Sequence, residues 1–232
     1  MNIIQKELRK KINKEKAAFF PTFFKTGKGQ YGEGDVFLGI VVPDQRAIAK
    51  KHFQESDKQT IIELLDSDYH EERLTGLFIL NLKFAADKKK GNEKQWVDLY
   101  LKKINRVNNW DLVDSSAHMI LGPWLEDKDR SLLYTFARDK NLWINRIAML
   151  STFHYIKKGE MEDALKIAEI LLPHPHDLIH KATGWMLREG WKRKPAIIEA
   201  FIKKHISIMP RTMLRYAIEK MDEDKRKAFL QK

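Results

Sequence analysis

From Pro43 onward, apolar residues recur three and four positions apart in one short segment after another, the spacing that gathers them on one face of an α-helix. Ile61, Ile62, Leu64 and Leu65 form one stripe, and Leu74, Leu77, Phe78, Leu80 and Leu82 form the next. The series runs on through 96–104, 112–121, 132–137, 144–156, 164–172, 179–187, 197–202 and 213–221. Pro43 opens it, with a fixed φ suited to a first helical turn. Residues 36–42 are a short β-branched stretch that predicts an extended connector, not a sheet. The pattern predicts an all-α fold.

Charged positions add a longer period. Lys181 follows Arg146 by 35 residues and Arg215 follows Lys181 by 34, while Asp114 precedes Arg146 by 32 and Arg73 precedes Asp114 by 41. Such spacing is about one helical hairpin, as stacked helix pairs would give. The repeated Trp-Leu-Gly-Tyr pattern of tetratricopeptide arrays is missing. The expectation is therefore a HEAT-like repeat superhelix with a concave basic face, lined by residues that recur at the period. It forms a single domain over 1–232, with an N-terminal helix and Gly-rich loop over 1–42 and helical repeats over 43–232.

The N-terminal stretch, MNIIQKELRKKINKEKAAFF, carries charges throughout and suits a first helix better than a secretory signal. Gly27, Gly29, Gly32 and Gly34 crowd the segment that follows, which must be a loop. Gly27-Lys28-Gly29-Gln30-Tyr31-Gly32 matches the dinucleotide fingerprint literally, but a helical segment precedes it and no βαβ unit surrounds it. Asp35 stands where a P-loop would require lysine after Gly34. Lys25 and Lys28 suit phosphate contacts; the competing reading is a plain connector.

Net charge is +11, from 43 Lys+Arg against 32 Asp+Glu, which suits a polyanionic partner; the competing reading is a solvated basic surface with no specific partner. Cysteine is absent, so disulfides, thiolate nucleophiles and Cys-ligated zinc are excluded. No apolar run reaches the length of a membrane span, and the chain is expected to be a soluble, cytoplasmic monomer.

Two constellations carry chemistry. His174, His176 and His180 cluster, the last two at the i,i+4 spacing of helical metal ligands, yet Pro173 and Pro175 mark a helix start where polar histidines are common. No further ligand group stands nearby, and no metal is expected. In Asn108-Asn109-Trp110-Asp111-Leu112-Val113-Asp114, either asparagine can cap a helix and Asp111 suits its first turn. Asp114 lies one turn further in and shares a face with Trp110. Leu142-Trp143-Ile144-Asn145-Arg146 then supplies a cation, and Thr183-Gly184-Trp185 supplies a second indole, with Gly184 permitting close approach. A carboxylate, an arginine and two indoles can serve one site; the competing reading is core tryptophans and a structural ion pair.

Phe37-Leu38-Gly39-Ile40 with Pro43 and Arg46, the run Trp110–Asp114, Leu142-Trp143-x-x-Arg146 and Gly184-Trp185-x-Leu187-Arg188-Glu189 occur in order. Together they resemble the AlkD-type DNA alkylation-repair family over about Phe37 to Met221. The resemblance implies functional residues at Trp110, Asp114, Arg146 and Trp185, and a DNA N-glycosylase that releases N3- or N7-alkylated purines without a cofactor. Its partner would be double-stranded DNA containing alkylated bases, contacted by Arg146, Lys181, Arg188, Arg215 and Lys28. The sequence departs from the family at Asn109, where some relatives carry a second tryptophan, and in the Gly-rich insertion before Phe37. The family also contains members thought to lack glycosylase activity, for which DNA-structure or lesion binding, or a protein-binding scaffold, is the alternative.

Overall fold

The computed structural model describes residues 1–231. Among these, regular structure is helical throughout, apart from one isolated parallel bridge between Val36 and Tyr69. The chain divides into two compact units, Met1–Ser116 and Ala117–Lys232.

The first unit contains α1 (Ile3–Arg9), α2 (Lys14–Phe23), α3 (Val42–His52), α4 (Lys58–Leu65), α5 (His70–Lys88), α6 (Lys94–Lys102), a 3₁₀ turn at Ile104–Arg106 and α7 (Trp110–Asp114). Helices α3, α4 and α6 pack around α5. Leu64, Leu77, Leu80, Tyr100 and Leu112 are completely buried there. Each such aliphatic side chain contributes about 2 kcal/mol, so the unit has a core of its own.

The second unit contains α8 (Ala117–Trp124), α9 (Ser131–Ala137), α10 (Leu142–Ser151), α11 (Phe153–Lys157), α12 (Glu162–Leu171), α13 (Asp177–Trp191), α14 (Pro195–His205), α15 (Arg211–Ala217) and α16 (Glu223–Leu230). Here α10, α13 and α15 lie side by side, α9 packs on α10, and α12 and α14 pack on α13. This is the stacking of helix pairs that the residue period predicts. Arg146, Lys181 and Arg215 fall on α10, α13 and α15, the successive helices of one layer. Gly184 makes the α13–α15 approach possible: a Cβ there would lie 2.5 Å from the Met213 carbonyl oxygen and 2.6 Å from Tyr216 Cβ.

Three segments differ from the apolar pattern. The N-terminal stretch forms two helices, because Asn13 caps α2 through Lys16 N at 2.9 Å and its own amide donates to Leu38 O at 3.1 Å. The 112–121 stripe breaks at Ser115–Ser116, and 144–156 breaks at Thr152. At both breaks a hydroxyl turns back onto the preceding backbone, Ser116 Oγ to Leu112 O at 2.7 Å and Thr152 Oγ1 to Met149 O at 2.6 Å. Such bonds compete with the helical ladder, while the apolar spacing runs on undisturbed.

Candidate functional site

Helix α7 is a five-residue helix with defined ends. Asn109 begins it, its side-chain oxygen accepting from Trp110 N at 2.8 Å. Asn81 Nδ2 closes the other end by donating to Ser115 O at 2.8 Å. Leu112 and Val113 are fully buried and fix the helix's rotation. Trp110, Asp111 and Asp114 are consequently left half-buried at its outer side. Trp110 and Asp114 stand one turn apart, as expected.

The Trp110 ring is held by aromatic neighbours from the N-terminal segment. Phe24 stacks on it with centroids 5.3 Å apart and planes 13° from parallel, and Phe23 meets it edge-on at 5.9 Å. The opposite contacts of Phe24 are Phe37, stacked at 5.0 Å, and His70 at 4.9 Å.

Beneath this stack lies a buried polar cluster that sequence reasoning missed. The first turn of α5 reads His70-Glu71-Glu72-Arg73, and all four residues are at most 2% exposed. Each ties down a different segment. Glu71 accepts from the amides of Leu38, Gly39 and Ile40, with the Gly39 contact at 2.8 Å, so the Phe37–Ile40 motif is a cradle for a carboxylate. Glu72 accepts from Arg9 at 2.7 Å, Gln5 at 2.9 Å and Ser67 Oγ at 2.7 Å. Arg73 pairs with Asp35 and donates to the carbonyls of Ser67 and Asp68. His70 bridges two carboxylates, Nδ1 lying 3.0 Å from Asp35 and Nε2 lying 2.8 Å from Asp111. The available signal was the density of charge immediately before the apolar stripe from Leu74, which reads equally well as a solvated first turn.

Electrostatics follow from this geometry. Burial by itself would lower the His70 pKa, but the Asp111 charge and the hydrogen bonds to Asp111 and Asp35 prevail and push it up to about 9. Burial opposes ionisation of Asp35, yet the His70 hydrogen bond and the Arg73 charge hold it below the usual carboxylate range. At neutral pH His70 is thus an imidazolium, set between Asp35 and Asp111, with the Arg73 guanidinium on the other oxygen of Asp35.

In the second unit, Asn141 caps α10 by accepting from Trp143 N at 2.8 Å. Arg146 is only 5% exposed and donates from Nη1 to Leu178 O, at the start of α13, at 2.6 Å. Trp185 is half-buried, with its ring centroid 6.0 Å from that of Phe153. Lys181 pairs with Asp177 at 2.7 Å, Arg188 pairs with Glu219 and Glu189, and Arg215 is exposed. Lys28 is exposed in the glycine loop. The histidines act at the start of α13: His176 Nδ1 accepts from Leu178 N at 3.1 Å and His174 Nδ1 from His176 N at 3.0 Å. His180 Nε2 donates to His174 O at 2.5 Å. Burial is the first cause holding the pKa values of His174 and His176 below the usual imidazole range. No helix is long and apolar enough to cross a membrane among the described residues.

Comparison with known proteins identifies the family. No curated protein sequence matches the chain. Among solved structures, a "Predicted DNA alkylation repair enzyme from Enterococcus faecalis" shares its fold, with a TM-score of 0.71 and 19% identity over 92% of this chain and 98% of that one. The model of the family described as DNA alkylation repair enzyme matches residues 4–221. With nearly its whole length matched, the chain belongs to the DNA alkylation repair enzyme family.

Proposed function

We propose that the protein is a monofunctional DNA N-glycosylase that releases positively charged N3- and N7-alkylated purines, such as 3-methyladenine and 7-methylguanine. The observation that carries this reading is the half-buried Trp110–Asp114 pair on α7, in a family of DNA alkylation repair enzymes. A carboxylate beside the indole repels phosphate, so DNA affinity alone does not account for it.

Alkylation at N3 or N7 gives the purine a formal positive charge and weakens its glycosidic bond. The C1′–N bond breaks with its electron pair moving onto the purine, which leaves neutral, so no general acid is needed. Positive charge develops on the sugar, where the Asp114 carboxylate opposes it and the face of Trp110 favours it. Water bonds to C1′, and its proton passes through Asp114 to solvent. Arg146, Lys181, Arg188, Arg215 and Lys28 are assigned to the DNA backbone, which fixes register without reading sequence.

The test is single-turnover excision of 7-methylguanine from duplex DNA. Asp114→Asn keeps the shape and removes the charge, so excision should slow by about 10²-fold, roughly 3 kcal/mol of barrier, while DNA affinity holds or improves. A well-folded Asp114→Asn protein that excises at the parental rate would end the assignment. Arg146→Ala should weaken both binding and excision. Because its guanidinium also bonds Leu178 O, a melting curve run alongside separates lost DNA contact from a loosened α10–α13 pairing.

A further inference from the structure

The glycine loop ends at Asp35, and Asp35 has no part in the reaction above. Its carboxylate nevertheless takes three side-chain bonds inside the first unit, from Arg73, from His70 at 3.0 Å and from Asn109 Nδ2 at 2.9 Å. Asn109 is the residue that caps α7, and Asp111, on the far side of His70, lies in the first turn of α7. Asp111 also receives its neighbour's amide, Leu112 N donating to Oδ1 at 2.9 Å. The loop therefore reaches the start of α7 by two routes, one direct through Asn109 and one through the His70 ring. Gly32 allows this closure. A Cβ there would sit 2.5 Å from Phe24 O and 3.1 Å from Asn109 Nδ2.

The same imidazole also touches the aromatic stack that holds Trp110. It lies 4.8 Å from Phe37 at an interplanar angle of 28° and 4.9 Å from Phe24, and Phe24 carries the Trp110 indole on its face. A cationic ring over aromatic faces is favourable, so the charge that satisfies both carboxylates also strengthens the stack.

We propose that His70 is a positioning residue: bridging Asp35 and Asp111, it fastens the glycine loop to α7 and so sets the indole of Trp110 and the carboxylate of Asp114 for the reaction. The assignment of roles on α7 rests on the function proposed above; the fastening itself rests on the contacts alone. A neutral imidazole has one N–H and can donate to only one of the two carboxylates. The bridge therefore requires both ring nitrogens to carry protons. Misplacing reacting groups by even an ångström is costly in rate while leaving the remote phosphate contacts intact.

Three readouts test this on the full chain. His70→Gln donates to one carboxylate at most, and Asp111→Asn and Asp35→Asn each replace one carboxylate of the bridge by a neutral amide with little change in volume. Each aspartate variant keeps an acceptor but removes the charge that holds the second ring proton, so in variants with native circular dichroism single-turnover excision of 7-methylguanine should fall about tenfold or more, with DNA affinity changed by less than about threefold. Hydrogen exchange should accelerate in the 27–35 loop and α7 together, and remain parental in α10 and α13. In wild type, imidazole ¹⁵N–¹H spectra at pH 7.5 should show both ring N–H protons of His70, and Asp111→Asn should lose the Nε2 proton signal. Should His70→Gln fail to fold, the two aspartate variants carry the same three readouts. If wild type excises nothing, the glycosylase reading fails, and exchange and spectra alone decide the fastening. Parental excision by all three variants overturns the positioning role where wild type is active. Unchanged loop and α7 exchange, or one ring proton in wild type, overturns the bridge itself.

Discussion

Raising the pH should loosen the first unit through His70, and the size of the effect follows from its surroundings. The ordinary imidazole pKa is 6.5 and the folded protein raises it to about 9. A group held higher in the fold than in the unfolded chain stabilises fully below its unfolded value. That stabilisation is lost as pH rises through the folded value, so the window is about 6.5 to 9. The difference corresponds to on the order of 3 kcal/mol. Charge counting agrees in scale. Above the window the imidazolium is gone and Arg73 is left as the cation paired with Asp35, itself opposed by the charge of Arg106. Breaking a buried pair typically costs about 3–5 kcal/mol. The assay is urea unfolding of wild type and His70→Gln from pH 6 to 10 at constant ionic strength. Glutamine cannot carry the charge, and the remaining titrations are common to both proteins, so they cancel in the difference. Wild type should lose on the order of 3 kcal/mol relative to the variant across the window. A difference that stays constant from pH 6.5 to 10 would show that His70 is neutral in the fold and refute the reasoning.

DNA binding should be strongly salt-dependent and weakly sequence-dependent: with about five phosphates neutralised, log K should fall against log salt with a slope of roughly −4 to −5, and a flat anisotropy titration would remove the DNA reading. Excision should proceed without strand cleavage, since the residues assigned to the site include no lysine beside the sugar to form a Schiff base; borohydride during turnover should trap no covalent protein–DNA species. Gly184→Ala should destabilise by about 1–3 kcal/mol in thermal melts, because its Cβ would collide with the Met213 carbonyl across the α13–α15 contact.

The all-α fold was legible because burial on a helix is a local property, repeated every three or four residues along segments such as 61–65 and 74–82. The breaks at Ser115–Ser116 and Thr152 were not, since they arise from single hydroxyls that leave the apolar period untouched. The Trp110–Asp114 pair was legible for the same local reason, one helical turn separating the two. The cluster at the start of α5 was hidden by distance. His70, Glu71 and Arg73 are buried only when residues 35–40 fold over them, and nothing in the run His-Glu-Glu-Arg distinguishes that outcome from a solvated first turn favoured by the helix dipole.

Asp111 and Asn109 show how a sufficient local explanation can conceal a second role. Asp111 fits the helix dipole and Asn109 fits the cap, and both do what those rules require. Each side chain has a second polar end, and those ends meet His70 and Asp35. This joins two features that looked unrelated in sequence, Asn109 and the glycine-rich segment before Phe37. An indole donates through one N–H and accepts nothing, so it can neither cap Trp110 N nor do so while reaching Asp35. Asparagine supplies an acceptor for the cap and a donor for the loop in one side chain. The loop brings the matching carboxylate, and Gly32 leaves room for both. The loop's Asp35 and the cap residue Asn109 are therefore two halves of one contact. The loop's chemistry lies in that contact with α7, not in the nucleotide-binding motif its glycines imitate.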